Sequence, residues 1–298
     1  MMQNDSITCK NCNQKALFLF NARDYNRYVK NEIYTYYQCS ACGFIFLNPI
    51  PRNLKTYYPD VFHAIPASLS QLIESSHIEK YKVDLVKKFI SSGRLLDIGP
   101  SFGGFAYLAK MAGFNVEAIE MDDHCCQFLK QIVGINVFHS TNPSVAMRSV
   151  NLYNVITLWH VIEHLPDPWP TVESAARHLL PGGIIVIASP NPDSLSFNAW
   201  GRFWVHVDAP RHVQLIPISL LKDKLRTFGL RPIFLTSKDP GASSLNRQGW
   251  QKSAMNLFAN KKLKHLMQIL GFFAYITMIP LDYSGFRGNG YVAVFKKT

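Results

Sequence analysis

The sequence predicts an α/β fold, a Rossmann-like sheet flanked by helices, preceded by a small N-terminal module. Three observations carry this. Residues Arg94–Asp123 read as strand, glycine-bearing turn, helix, second strand and closing acidic residue. Two further buried-strand patterns, Tyr153–Leu158 and Ile184–Ala188, flank a segment with helical periodicity. Ahead of these, two Cys-x-x-Cys knuckles stand within residues 1–66, apart from the strand–helix alternation.

The elements follow in order. Cys9-Lys10-Asn11-Cys12 and Cys39-Ser40-Ala41-Cys42-Gly43 are separated by 26 residues. Each knuckle puts two thiolates on one tight turn, and the two together complete a tetrahedral four-cysteine Zn2+ site. Such a site is closed, hence structural; a pair of disulfides is the alternative. Ala16–Phe20 and Glu32–Gln38 alternate aromatic and polar residues as a hairpin does. Residues 1–8 are polar and hold no apolar signal core, which fits a cytoplasmic protein. Pro49-Ile50-Pro51 and Pro59–Pro66 read as a linker, dividing the chain into a zinc ribbon with linker, 1–66, and a larger domain, 67–298. A helix over Ser68–Ile90 then carries Ile78, Tyr81, Leu85 and Phe89 on one face.

Leu95, Leu96 and Ile98 form a short buried strand that ends in Asp97-Ile98-Gly99. Gly103 and Gly104 let the backbone approach a ligand before the helix Phe105–Ala112, and Gly113 caps that helix. Val116–Ile119 is the next strand, and Glu120 stands 23 residues after Asp97. Bare backbone for one end and a carboxylate for two ribose hydroxyls suit a nucleoside ligand. The loop Gly99-Pro100-Ser101-Phe102-Gly103-Gly104 lacks the Gly-x-Gly-x-x-Gly spacing that cradles a pyrophosphate. Cys125-Cys126, in the following helix, has no matching pair nearby and reads as core cysteine.

This loop resembles the first motif of class I S-adenosylmethionine (SAM) methyltransferases, roughly Asp-x-Gly-x-Gly-x-Gly, with Ser101 in place of the middle glycine. Later motifs extend the resemblance. Tyr153–Leu158 leads into Trp159-His160-Val161-Ile162-Glu163-His164-Leu165-Pro166-Asp167-Pro168. A helix with Val172, Ala175, Ala176 and Leu179 on one face follows, ending at Leu180-Pro181-Gly182-Gly183 before the strand Ile184–Ala188. The resemblance covers residues 94–191 well and 192–298 more loosely. It implies a seven-stranded methyltransferase sheet with SAM as cofactor. Asp97, Gly99, Ser101 and Gly103 would line the methionine end and Glu120 the ribose, with Met121, Trp159 and His160 completing the cofactor set. Where many members carry an acidic residue for adenine, this chain has His139-Ser140-Thr141-Asn142, which leaves apolar packing or Asn142 for that task.

His160-Val161-Ile162-Glu163-His164 also matches a zinc-protease pattern, but Pro166 and Pro168 break the long helix a protease needs. Some quinone O-methyltransferases of the resembled family hold a divalent ion at these positions; His160 stands where they place a carboxylate. Alternatively, Glu163 and His164 order the loop over the cofactor. After Asn191-Pro192-Asp193, the insert Asn198–Leu215 offers Trp200, Phe203 and Trp204 as a pocket wall. His206, Asp208, Arg211 and His212 supply polar contacts to a substrate, and the run resembles an Asp-x-Pro-Arg-His stretch of related members. Histidine suits removal of a hydroxyl proton near neutral pH, so His212 is the first candidate for catalytic base and His160 the second. Both could instead tie down loops. Arg211 suits a phosphate or carboxylate on the substrate.

A zinc ribbon followed by Phe44-Ile45-Phe46-Leu47-Asn48-Pro49 and such a domain resembles bacterial methyltransferases of sugar nucleotides, surface glycans and natural products. That arrangement implies methyl transfer to O or C of a glycan, sugar nucleotide or lipid-linked small molecule. The net charge of +11 lies entirely in residues 211–298, with 14 basic and 3 acidic side chains, whereas residues 1–210 hold 17 of each. An RNA methyltransferase would use such charge on phosphates, yet the ribbon, with seven basic and four acidic residues, is no strong nucleic-acid face. A non-catalytic binding module with this fold is a further alternative, against which the intact Asp97, Gly99 and Glu120 argue. The basic excess surrounds Leu266–Leu281, preceded by Lys261-Lys262-Leu263-Lys264-His265. Three readings stand for 261–281: a core helix before the last strand Tyr291–Phe295, peripheral contact with a membrane, or an anchor.

Overall fold

The computed structural model describes residues 6–58 and 65–298. Most of the Pro59–Pro66 linker and the first five residues lie outside the described residues. Four short strands open the chain: β1 (Ser6–Thr8), β2 (Lys15–Ala22), β3 (Tyr34–Cys39) and β4 (Ile45–Leu47). β2 and β3 pair antiparallel, Ala16 opposite Cys39 and Ala22 opposite Tyr34, as their aromatic–polar alternation predicts.

The main sheet is built from β5 (Gly93–Ile98), β6 (Phe114–Glu120), β7 (Asn136–His139), β8 (Tyr153–Trp159) and β9 (Leu179–Pro190). After β10 (Gln214–Leu215), β11 (Leu230–Thr236) and β12 (Gly290–Lys297) complete it. Its seven strands run in the order β11-β12-β9-β8-β5-β6-β7. β12 enters antiparallel to both neighbours, and β5 through β9 are parallel. Strand order reverses between β5 and β8, so their C-terminal ends open the crevice where ligands bind in sheets of this kind. Alternating residues feed two cores. Leu96, Ile98, Ile156 and Leu158 face the helix Trp169–His178, while Leu95, Val116 and Val155 face the helix Gly104–Met111.

β10 does not join that sheet. Gln214 and Leu215 pair antiparallel with Phe46 and Ile45, so the insert supplies a fifth strand to the N-terminal sheet. Phe44 and Phe46 share one apolar cluster with Trp169, Val172 and Leu220, so the knuckle module packs into the core of the larger domain.

Three expectations need correction. The helix over Ser68–Ile90 is two helices, Leu69–Ser76 and Lys80–Lys87, joined by a tight turn at His77–Glu79. That break turns Ile78 outward, 80% exposed, and the buried face is Leu72, Val83, Leu85 and Val86. The helix ends at His178, short of Leu180-Pro181-Gly182-Gly183, and β9 starts with Leu179 opposite Tyr153, its ladder skipping 180–183 to resume at Ile184 opposite Val155. The segment 261–281 is not a core helix. Helix Lys261–Asp282 packs along Pro240–Asn256 and leaves most of its apolar side chains exposed.

Candidate active site

The loop after β5 has the geometry of a ligand cradle. Gly99, Ser101 and Gly103 all adopt positive φ, and a Cβ on Gly103 would lie 2.3 Å from a Leu129 methyl. The Ser101 hydroxyl is buried without a hydrogen-bond partner. At the end of β6, Glu120 accepts from the backbone N–H groups of Ser101 (3.0 Å), Met121 (2.7 Å) and Asp122 (2.9 Å). Its carboxylate therefore ties the loop after β5 to the end of β6. Burial raises the Glu120 carboxyl above the ordinary range, against those three donors.

Asp97, at the end of β5, is 2% exposed and accepts from the Thr157 hydroxyl at 2.7 Å. Burial pushes its carboxyl up to about 7. Lys82, paired with Glu79 at 3.1 Å, lowers it slightly and also lies over the Trp159 ring, whose indole nitrogen is buried without a partner. Glu79 and Lys82 escaped the sequence reading because their helix was read for its apolar face. Met121 is half-exposed, on the same rim as Glu120. Asn142 caps the short helix Pro143–Ala146 with its side chain. Orphaned polar atoms, a glycine cradle and two carboxylates at strand ends fit a SAM nucleoside.

A histidine set lies beyond β8. His160 adopts positive φ and approaches the buried Glu163 at 3.4 Å. Burial alone would raise the Glu163 carboxyl, but the surrounding His160, His164 and His212 hold it down at about 2. The His164 and His212 rings meet edge to face at 4.6 Å. His164 Nδ1 lies 3.1 Å from the Arg211 carbonyl and 2.9 Å from the Tyr58 hydroxyl. A carbonyl only accepts, so Nδ1 carries the proton and Nε2 the lone pair. Burial and the neighbouring His212 keep His164 neutral, at about 4. His212 Nδ1 donates to the His206 carbonyl at 2.7 Å, since a carbonyl only accepts, and Nε2 is its other ring nitrogen. Glu163, His164 and His212 bring one ligand atom each within 4.8 Å of one another, a donor set that does not include His160.

His212 is held from three sides. The Tyr36 hydroxyl donates to its carbonyl at 2.8 Å, Leu47 N–H donates to Val213 O at 2.9 Å, and Val213 N–H donates to Glu163 O at 2.9 Å. Tyr36 and Leu47 belong to the N-terminal sheet, and Tyr58 follows it, so that module builds part of the site wall. Tyr58 carried no sequence signal, because it lies where the chain reads as linker.

The other residues expected to contact substrate are corrected by their burial. Arg211 is 0% exposed, and its guanidinium donates to Asp24 at 2.7 and 3.1 Å, to Asp208 at 2.7 and 2.9 Å and to Tyr57 O at 3.4 Å. No donor remains for a substrate phosphate. Asp208, with its carboxyl well below the usual range despite burial, is the other jaw of this clamp. Trp204 is 1% exposed and spends its indole N–H on Ser196 and Asn289. His206 meets the Trp204 ring edge to face, donates to Leu245 O at 3.2 Å and is held neutral, at about 3, by burial. The Asp-x-Pro-Arg-His run thus fastens the insert to the N-terminal module and sets His212, itself 9% exposed, edge to face against His164.

The four knuckle cysteines converge. Cys9 and Cys42 sulfurs are 3.8 Å apart, Cys12 and Cys39 3.5 Å, and Cys12 and Cys42 3.6 Å, all free thiols. Zn–S bonds of about 2.3 Å give a tetrahedron with edges of about 3.8 Å, so the set fits Zn2+, and no pair stands at the S–S distance of a disulfide, about 2.05 Å. Cys125 and Cys126 are buried in the core, as expected.

Comparison with known proteins agrees with this geometry. A family model described as "Methyltransferase domain" matches residues 74–234, more than half of the chain. The ubiquinone biosynthesis O-methyltransferase of Pectobacterium carotovorum is 28% identical over 112 residues, 36% of this chain and 46% of that protein. The protein of the same name from Bordetella bronchiseptica is 27% identical over 154 residues, 48% of this chain and 64% of that one. The chain spans about half the length of the curated relatives it matches. A SAM-dependent methyltransferase from Archaeoglobus fulgidus shares the fold, with a TM-score of 0.51 at 19% identity over 74% of this chain and 94% of that one. The family match places this chain in the methyltransferase-domain family, and the strand order and the shared fold agree with it.

Proposed function

We propose that the protein methylates a hydroxyl oxygen of a small-molecule acceptor, with His212 as the base. The observation that carries this is the His212 tautomer: Nδ1 is committed to the His206 carbonyl, so Nε2 offers its lone pair beside His164 and the end of β8. Bound SAM would supply an electrophilic methyl group on a sulfonium. Asp97, Gly99, Ser101 and Gly103 would hold its methionine end, Glu120 its ribose, and Met121, Trp159 and His160 its flanks. His212 takes the hydroxyl proton as the acceptor oxygen is brought in line with the methyl carbon. The Glu163 carboxylate, within 4.8 Å of a His212 ring nitrogen, faces the positive charge that results. The relatives' names fit an oxygen acceptor, rather than the glycan or sugar nucleotide that the ribbon arrangement implied. Zn2+ on Cys9, Cys12, Cys39 and Cys42 would keep Tyr36 and Tyr58 against the two histidines, a structural role.

The test is His212→Gln, assayed for methyl transfer to a panel of phenolic and aliphatic hydroxyl acceptors. Turnover should fall by about 10²–10⁴ with binding of S-adenosylhomocysteine unchanged. Wild-type turnover in the variant, or methylation of carbon, would overturn the assignment.

A further inference from the structure

The helix Lys261–Asp282 turns one side inward. Gly271 lies so close to the helix Pro240–Asn256 that a Cβ there would meet Trp250 O at 2.7 Å, and the buried Asp282 accepts from the Trp250 indole at 2.8 Å. The opposite side is apolar and uncovered: Leu266, Ile269, Leu270, Phe273 and Ile276 follow helical spacing and are 45–60% exposed. From Pro240 through Leu281 the hairpin carries Arg247, Lys252, Lys261, Lys262 and Lys264, and no Asp or Glu. A second element stands beside its basic end. The Lys264 ammonium donates to the Tyr28 hydroxyl at 2.6 Å and lies 4.6 Å from that ring's centre, and Tyr28 is itself 58% exposed.

We infer that this hairpin, with Tyr28 at its end, docks on the surface of an anionic lipid bilayer. An apolar stripe bordered by cations of one sign matches acyl chains beneath anionic headgroups. A second copy pairing face to face would bring the same uncompensated positive charge against itself. A phosphate backbone would satisfy the lysines and leave the Leu and Ile stripe in water. The Gly271 contact and the Trp250–Asp282 bond hold the helix against the protein, so it lies in the interface plane and does not span. This inference rests on the surface alone and is independent of the acceptor.

Flotation of the full-length protein with phosphatidylcholine vesicles, with and without phosphatidylglycerol, tests it. Binding should be about tenfold stronger to the anionic vesicles and weaken with salt. Phe273→Asp with Ile269→Asp should abolish it, and Lys261→Glu with Lys262→Glu should weaken it about tenfold. In all of these variants the melting temperature and S-adenosylhomocysteine binding stay at wild-type values. Folded, cofactor-binding wild type that ignores anionic vesicles overturns the inference. So does a wild-type dimer that Phe273→Asp splits while vesicle binding is absent.

Discussion

Arg211→Leu should destabilise the protein more than any single surface change. The guanidinium faces two carboxylates, Asp24 with a fully buried side chain and Asp208 mostly buried, and bonds both in paired fashion. Removing one member of a buried ion pair strands the other charge and costs about 3–5 kcal/mol. For 298 residues, an unfolding entropy of about 2.1 cal/mol/K per residue gives about 0.6 kcal/mol/K, hence a fall in Tm of about 5–8 °C. Circular dichroism melts at pH 7 measure it. The Asp208 carboxyl is depressed in the fold, so the clamp's contribution is present at neutral pH and lost as pH falls through the acid range. The variant's deficit should accordingly shrink on acidification, as protonation neutralises the stranded carboxylates. Adding Asp24→Asn and Asp208→Asn to Arg211→Leu should restore part of the loss. A shift below about 1 °C would show that the triad is not the clamp described.

Three further outcomes follow from the site. Glu120→Ala should weaken S-adenosylhomocysteine binding about a hundredfold or more, the loss of two charge-assisted hydrogen bonds, and calorimetry showing less than threefold would remove the ribose assignment. Asp97, raised by burial from 3.8 to about 7, stabilises the empty fold below its unfolded value, and that contribution is lost as pH rises through 7. A cofactor ammonium favours the ionised form, so affinity should rise between pH 6 and pH 8 with proton release on binding; a flat profile, or one unchanged in Asp97→Asn, contradicts this. Elemental analysis should find zinc bound to the chain, and its chelation should unfold the N-terminal sheet and stop turnover by releasing Tyr36 from His212. A metal-free protein with that sheet intact would remove zinc from the account.

The sheet was legible because buried parallel strands repeat an apolar run, and because Asp97, Gly99 and Glu120 carry chemistry at strand ends. Helix breaks were less legible: nothing in Ser75-Ser76-His77 outranks the propensity of its neighbours, and tertiary packing decides the turn. Arg211 and Asp208 misled because a polar run after a strand looks the same whether it faces a ligand or another segment. The second carboxylate on Arg211, Asp24, lies 187 residues away, and no local pattern announces such a pairing. His212 was singled out by residue type, but which ring nitrogen it commits depends on the His206 carbonyl, visible only in three dimensions.

The strand borrowed by the N-terminal sheet has a consequence during synthesis. β4 leaves the ribosome long before residues 214 and 215 exist, and at about 5–20 residues per second the wait is about 8–30 s. Throughout it the Ile45–Leu47 edge, all apolar, has no partner on its outer side. The nascent module is therefore an unfinished template, open to another chain's strand. Translation speed across residues 48–213, rather than final stability, then sets how much protein escapes aggregation.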